Sequence, residues 1–198
     1  MKSIAVYCGA SMGTDKRYEE SAIQLGKWIA RNAYRLVYGG GKVGLMGVLA
    51  QTVISKRGYV TGIIPKLLAD RGVAYEGLSE LIIVADMSER KQKMITYSDC
   101  CIALPGGPGT LEEITEAISW ARLGENPNPC IFFNVNHYYE PIAQVYDRMV
   151  EEGFLTKEDR DKILITDSLD AIDSFLVHYT PPKIRQYATL ERHSEGKG

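Results

Sequence analysis

Residues Pro105 to Glu113 read Pro-Gly-Gly-Pro-Gly-Thr-Leu-Glu-Glu and follow directly on the apolar run Cys100–Leu104. That order reads as strand, anion-binding loop, helix. Glycines let the backbone approach an anion closely, and a helix N-terminus offers unpaired N–H groups and a favourable dipole. Pro108 has no N–H, which leaves Gly107, Gly109 and Thr110 as the amide donors. Two charged side chains could add chemistry. With Thr110 as N-cap, Glu113 falls at the third helical position, so Thr-x-x-Glu is also a capping box, and this structural use competes with a chemical one. Arg90 stands in Met87-Ser88-Glu89-Arg90-Lys91. With Ser88 as N-cap, Arg90 and Lys91 share a first turn, where cations oppose the helix dipole. The placement invites a functional explanation; a solvated face is the alternative.

Two more glycine loops precede this one. Gly39-Gly40-Gly41-Lys42-Val43-Gly44 matches G-x-G-x-x-G, a dinucleotide signature when it follows a first strand. Here it follows the second strand, and the next one, Val60–Pro65, carries no acid to hold a ribose hydroxyl. Val43 after Lys42 rules out a P-loop. A tight turn with close helix–sheet packing and a wall of a mononucleotide pocket are the readings left. The third loop, Cys8–Gly13, holds Ser11, which could donate to a phosphate or stabilise a turn. All three lie at the carboxyl ends of strands, the edge where open α/β sheets bind ligands.

The elements that must position these loops alternate from start to finish. Strand candidates are Ile4–Gly9, Arg35–Tyr38, Val60–Ile64, Leu81–Val84, Cys100–Leu104, Cys130–Val135 and Ile163–Ile165. Between them, apolar residues recur at helical spacing, as in Tyr18, Ala22, Leu25, Ile29 and in Leu111, Ile114, Ile118, Ala121. Strands apolar throughout are buried on both faces, so the pattern predicts α/β architecture: a Rossmann-like, doubly wound parallel sheet. One domain is expected over 1–179, with a mobile charged tail over 180–198; the longer connection Pro65–Ser79 is placed to border a ligand.

A net charge of −2 argues against nucleic-acid or membrane-surface partners. No signal peptide or membrane-length apolar run is present, so a cytoplasmic location is expected. The four cysteines lie in apolar runs without C-x-x-C spacing and the histidines are scattered, which reads as buried thiols and no metal site.

Pro105-Gly106-Gly107-Pro108-Gly109-Thr110-Leu111-Glu112-Glu113 fits P-G-G-x-G-T-x-x-E. Together with Tyr38-Gly39-Gly40-Gly41, Gly44-Leu45-Met46-Gly47 and Met87…Arg90-Lys91, it resembles the LOG family of cytokinin-activating enzymes from about Ser3 to Tyr179. Ser88 stands where many members carry His. The resemblance implies hydrolysis of the N-glycosidic bond of cytokinin nucleoside 5′-monophosphates, and of AMP, without a cofactor. It implies Arg90 and Glu113 as catalytic residues. It implies a substrate-binding set of Ser11, Gly39, Gly40, Gly41, Met87, Lys91, Gly106, Gly107, Gly109, Thr110 and Glu112. It also implies a homodimer paired through helices beside the site, which fits Trp120 and Leu123 flanking the core stripe of their helix. Lysine decarboxylation, a label often given to such proteins, needs a pyridoxal phosphate site with a Schiff-base lysine, and no lysine completes one here. A nucleotide binder or carrier of the same fold is the competing class; it needs the glycines but not both Arg90 and Glu113.

Overall fold

The computed structural model describes residues 2–184. The first half runs β1 (Ser3–Tyr7), α1 (Lys16–Arg31), β2 (Arg35–Tyr38), α2 (Gly44–Ser55), β3 (Val60–Pro65), α3 (Lys66–Ala69), β4 (Glu80–Val84) and α4 (Met87–Thr96). The second runs β5 (Cys100–Ala103), α5 (Pro108–Leu123), β6 (Cys130–Phe133), α6 (Glu140–Glu151), α7 (Lys157–Arg160), β7 (Ile163–Thr166) and α8 (Leu169–His178). The strands form one seven-stranded sheet in the order β4-β3-β2-β1-β5-β6-β7, parallel at every pairing. This is the doubly wound parallel sheet expected from the strand pattern. The order reverses between β1 and β5, and a crevice opens at their carboxyl ends.

Side-chain alternation along the strands divides the core into two layers. Ile4, Val6 and Cys8 pack with Leu25, Trp28 and Ile29 of α1, Leu49 of α2 and Ile172 of α8. Ala5 and Tyr7 face the other way, onto Met94 of α4, Ile114 and Ala117 of α5 and Tyr146 of α6.

Strand ends differ from the sequence expectation. β1, β5 and β6 stop at Tyr7, Ala103 and Phe133 rather than at Gly9, Leu104 and Val135. Cys8 and Leu104 are still buried; hydrophobicity reports burial, which outlasts ladder pairing where the chain leaves the sheet to build loops. The connection 65–79 holds the single turn α3 and an antiparallel bridge from Ala74 to Gly41. Of the tail expected to be mobile, 185–198, with its charged end Glu195–Gly198, lies outside the described residues.

Candidate active site

Helix α5 starts at Pro108, with Gly107 as N-cap and no side-chain capping bond. The expected start at Thr110 is corrected: proline is preorganised for the first helical position, and that signal outranks the threonine. Thr110 becomes the third helical residue and Glu113 moves into the second turn, so no capping box forms. The carbonyls leading into the helix are all occupied. Leu104 O accepts from the Tyr139 hydroxyl at 2.7 Å, Gly106 O from the Tyr138 hydroxyl at 2.5 Å. Pro105 O accepts from Gly9 N–H at 3.1 Å, and Gly107 O from Leu111 N–H at 3.2 Å. The N–H groups of Gly107, Gly109 and Thr110 have no backbone acceptor among the described residues, as the first turn of a helix dictates.

Helix α4 is capped by Asp86, whose Oδ1 accepts from Glu89 N–H at 2.9 Å, while Glu89 Oε2 accepts from Ala85 N–H at 2.8 Å. This corrects Ser88 as N-cap; the Asp-x-x-Glu spacing was the better signal. Arg90 therefore sits one residue past the first three helical positions, and it faces inward on the same side as Met94. It is 9% exposed, so Arg90 is buried beyond the first turn and the solvated-face alternative is set aside. Its Nε donates to Ile63 O at the end of β3 (3.2 Å), and its Nη1 to Met87 Sδ (3.6 Å). A Cβ at Gly39 would overlap Arg90 Nη2, so the guanidinium reaches its place only because that residue is glycine.

Glu113 is 6% exposed, and its Oε1 lies 3.1 Å from Arg90 Nη1. The two charges pair, but Oε1 has no partner in hydrogen-bonding alignment among the described residues. Burial pushes the Glu113 carboxyl above its usual range; Arg90 opposes this, Glu112 and Glu116 add to it and Lys91 offsets them. Desolvation outweighs the pairing, so the carboxyl takes up a proton more readily than an ordinary glutamate, and its Oε1 keeps spare acceptor capacity.

Glu113 and Arg90 open onto a cavity of about 410 Å³. Of the residues singled out in the sequence, Gly39, Gly41, Met87, Arg90, Gly107, Gly109, Thr110 and Glu113 share its wall. Five others lie off it. Ser11 and Gly106 line a second cavity of about 220 Å³ that shares Gly9 and Gly107 with the first. Gly40, at φ +73°, gives its carbonyl to Tyr75 N–H. Lys91 is held by Glu112 at 2.7 Å and Glu116 at 2.5 Å. The sequence reading missed the apolar flank, where Val43, Met46, Ile64, Leu68 and Val73 complete the wall. The only signal for it was the position of the 65–79 connection. A larger cleft of about 630 Å³, between Arg122, Phe154 and residues 180–184, is lined by the start of the single turn α7, where the Thr156 hydroxyl accepts from Asp159 N–H at 3.1 Å.

A family model described as "Possible lysine decarboxylase" matches residues 46–174. The cytokinin riboside 5′-monophosphate phosphoribohydrolase LOG1 of Arabidopsis thaliana is 42% identical over 91% of this chain and 84% of its own length. The enzyme of the same name from Rhodococcoides fascians is 41% identical over 85% of this chain and 86% of its own. Among solved structures, the Moco carrier protein of Chlamydomonas reinhardtii superposes with a TM-score of 0.66 at 17% identity, covering 90% of this chain and 99% of that one. At that identity the likeness shows the fold alone. Sequence identity of this extent, on a parallel sheet carrying the three glycine loops, assigns the chain to the LOG family of cytokinin riboside 5′-monophosphate phosphoribohydrolases.

Proposed function

We propose that this protein hydrolyses the N-glycosidic bond of nucleoside 5′-monophosphates, AMP and N6-substituted relatives included, to release the free base and ribose 5-phosphate. The observation that carries the reading is the buried Glu113–Arg90 pair on the wall of a cavity that the start of the same helix α5, with its free amides, also lines. Gly107, Gly109 and Thr110 would hold the 5′-phosphate. The base would lie against the apolar flank of Val43, Met46 and Leu68.

In the reaction the C1′–N bond breaks, its electron pair leaves with the base, and a water oxygen bonds to C1′. The ribose becomes cationic before water has fully arrived, and the Glu113 carboxylate stabilises that charge in a site with little competing solvent. Arg90 favours the ionised form of Glu113, partly offsetting the cost of burial, and orients it. The water's proton ends on the departing base or in solvent. Met87, the Gly39 loop and the outer residues Ser11, Lys91 and Glu112 shape the surroundings.

A lysine decarboxylase is disfavoured because no lysine lines the cavity among the described residues. A carrier of the same fold would use the free amides but has no need of a buried acid beside an arginine. We also propose a cytoplasmic homodimer: Leu123 at the end of α5 is 46% exposed and Trp120 is only half-buried, so α5 retains apolar surface for a second copy. Light scattering that returns the mass of one chain would count against the dimer. The activity is tested by incubation with AMP and chromatography for free adenine; binding without release of adenine would favour the carrier.

A further inference from the structure

The loop entering α5 is held from behind by two consecutive tyrosines on the segment between β6 and α6. Tyr139 is buried, stacks edge-on against Phe132 with ring centroids 4.8 Å apart, and donates to Leu104 O. Tyr138 is 40% exposed, yet its hydroxyl reaches across to Gly106 O at 2.5 Å. Its ring is fixed edge-on between Tyr18, at 5.8 Å, and Tyr139, at 5.0 Å. The backbone that delivers Tyr138 is strained: Asn136 and His137, neither of them glycine, sit at φ +55° and +56°. Such conformations persist only where surrounding contacts enforce them.

The carbonyl held by Tyr138 belongs to the peptide unit shared by Gly106 and Gly107. In a trans peptide the C=O and N–H point in opposite directions, so holding Gly106 O toward the Tyr138 hydroxyl turns Gly107 N–H away from it. Both flanking residues lack Cβ, so neither restricts its own backbone dihedrals as another residue would. A rotated unit would turn a carbonyl oxygen to where Gly107 N–H now points. Nearby carbonyls are tied by Gly9 N–H, by Tyr139 and by the helix itself; the Gly106 carbonyl depends on Tyr138 alone among the described residues.

We infer that Tyr138 is a positioning residue whose hydroxyl latches the Gly106–Gly107 peptide with its amide available for the phosphoryl group of the ligand. The inference rests on the phosphate placement proposed above. Tyr138 touches no reacting atom, so its effect falls on ligands that carry a phosphoryl group and spares the free base.

The test is Tyr138→Phe, which keeps the ring and removes the hydroxyl. Ribose 5-phosphate and adenine binding are measured by calorimetry, and AMP hydrolysis by kinetics. Ribose 5-phosphate affinity should fall about fivefold, roughly the worth of one neutral hydrogen bond. KM for AMP should rise by a similar factor with kcat nearly constant, while adenine binding and the melting temperature stay at parent values. Tyr139→Phe, which loosens a buried contact, serves as the comparison in which melting temperature falls. Unchanged ribose 5-phosphate affinity in Tyr138→Phe, or equal losses for ribose 5-phosphate and adenine, would overturn the latch. If the parent binds ribose 5-phosphate and loses that binding in the variant, but releases no adenine from AMP, the hydrolase reading fails and the latch stands. A parent that binds no phosphoryl ligand sinks both.

Discussion

The two loops that read most alike in the sequence use their glycines for opposite purposes. In the Gly39–Gly44 loop the backbone groups are turned on the protein itself. Leu45 N–H and Met46 N–H, at the start of α2, donate to Ser11 O and Gly9 O, both at 3.4 Å, and Lys42 N–H to Val73 O at 2.9 Å. A Cβ at Gly39 would overlap Arg90, one at Gly44 would overlap the backbone of Ala10 and Ser11, and one at Gly47 the carbonyl of Lys42. These glycines exist so that neighbouring parts can approach. In the 105–110 loop Gly106 makes room for Thr110 and the Gly9 backbone, but a Cβ at Gly107 or Gly109 would meet nothing within 4 Å, and the amides there are free. These glycines leave room for something that is not the protein. The G-x-G-x-x-G spelling thus marks a steric joint, while the loop without that spelling carries the open helix N-terminus.

The comparison breaks most directly under a single methyl. Gly44 sits at φ +61° against the Ala10 backbone, so Gly44→Ala combines backbone strain with overpacking, and we expect a loss of about 3 kcal/mol or more in unfolding free energy. Gly109→Ala adds its methyl to open space within a helix, so stability should hold or rise by about 0.5 kcal/mol. The cavity side tells the opposite story: Gly109→Ala should weaken AMP binding on the order of tenfold by intruding on the phosphate position. Denaturant titrations and AMP kinetics on both variants read this out. Equal stability losses would erase the distinction between the loops.

Glu113 sharpens it next, because the open loop faces a charge that the steric joint only makes room for. Glu113→Gln keeps shape and removes charge, and we expect turnover of AMP to fall on the order of 100-fold or more, as for a lost preorganised electrostatic contact. Melting temperature should stay near the parent value, since the cost of burying the carboxylate disappears as Arg90 loses its partner. Arg90→Ala should lose activity as well. It should also lose stability, because removing a buried guanidinium leaves a space and strips the buried Glu113 carboxyl of its opposite charge. A fully active Glu113→Gln protein would remove the carboxylate from the chemistry.

Much of the architecture was legible because period and burial agree. Runs such as Val60–Pro65 and Cys130–Phe133, apolar on both faces, can lie only inside a covered parallel sheet. Helix starts were less legible, because several signals compete within one turn. Pro108 overrode Thr110, and Asp86 overrode Ser88, and each shift changed the surroundings of a charged residue. The burial of Arg90 could not be read at all: it depends on Gly39, far away in sequence, having no Cβ. The grouping of Arg90, Glu113, Gly107, Gly109 and Thr110 on one wall followed from strand order, once each motif was tied to the carboxyl end of its strand. Tyr138 and Tyr139 gave no signal, since a hydroxyl reaching from one loop to the carbonyl of another has no local spacing.

The smallest effect we expect concerns Lys91, and it tests whether the charge around the open loop is tuned from outside the cavity. The groups facing Glu113 are Arg90 and Lys91 from α4, Glu112 and Glu116 from its own helix, Tyr7 from β1 and Cys8 just after it. If the ionised carboxylate is the active form, kcat/KM falls as pH drops through the Glu113 titration. Because burial raises that titration, the acid limb should lie above that of an ordinary glutamate. Lys91 holds Glu112 and Glu116 at 2.7 and 2.5 Å and so mutes their repulsion of Glu113. Lys91→Met leaves both carboxylates uncompensated, which disfavours ionised Glu113 further, so the acid limb should move to higher pH while the plateau rate changes little. A limb that stays in place with a reduced plateau would make Lys91 a contact of the substrate instead. A limb that moves to lower pH would mean that Lys91, and not burial with Glu112 and Glu116, holds the Glu113 titration up, contrary to the geometry of the three side chains.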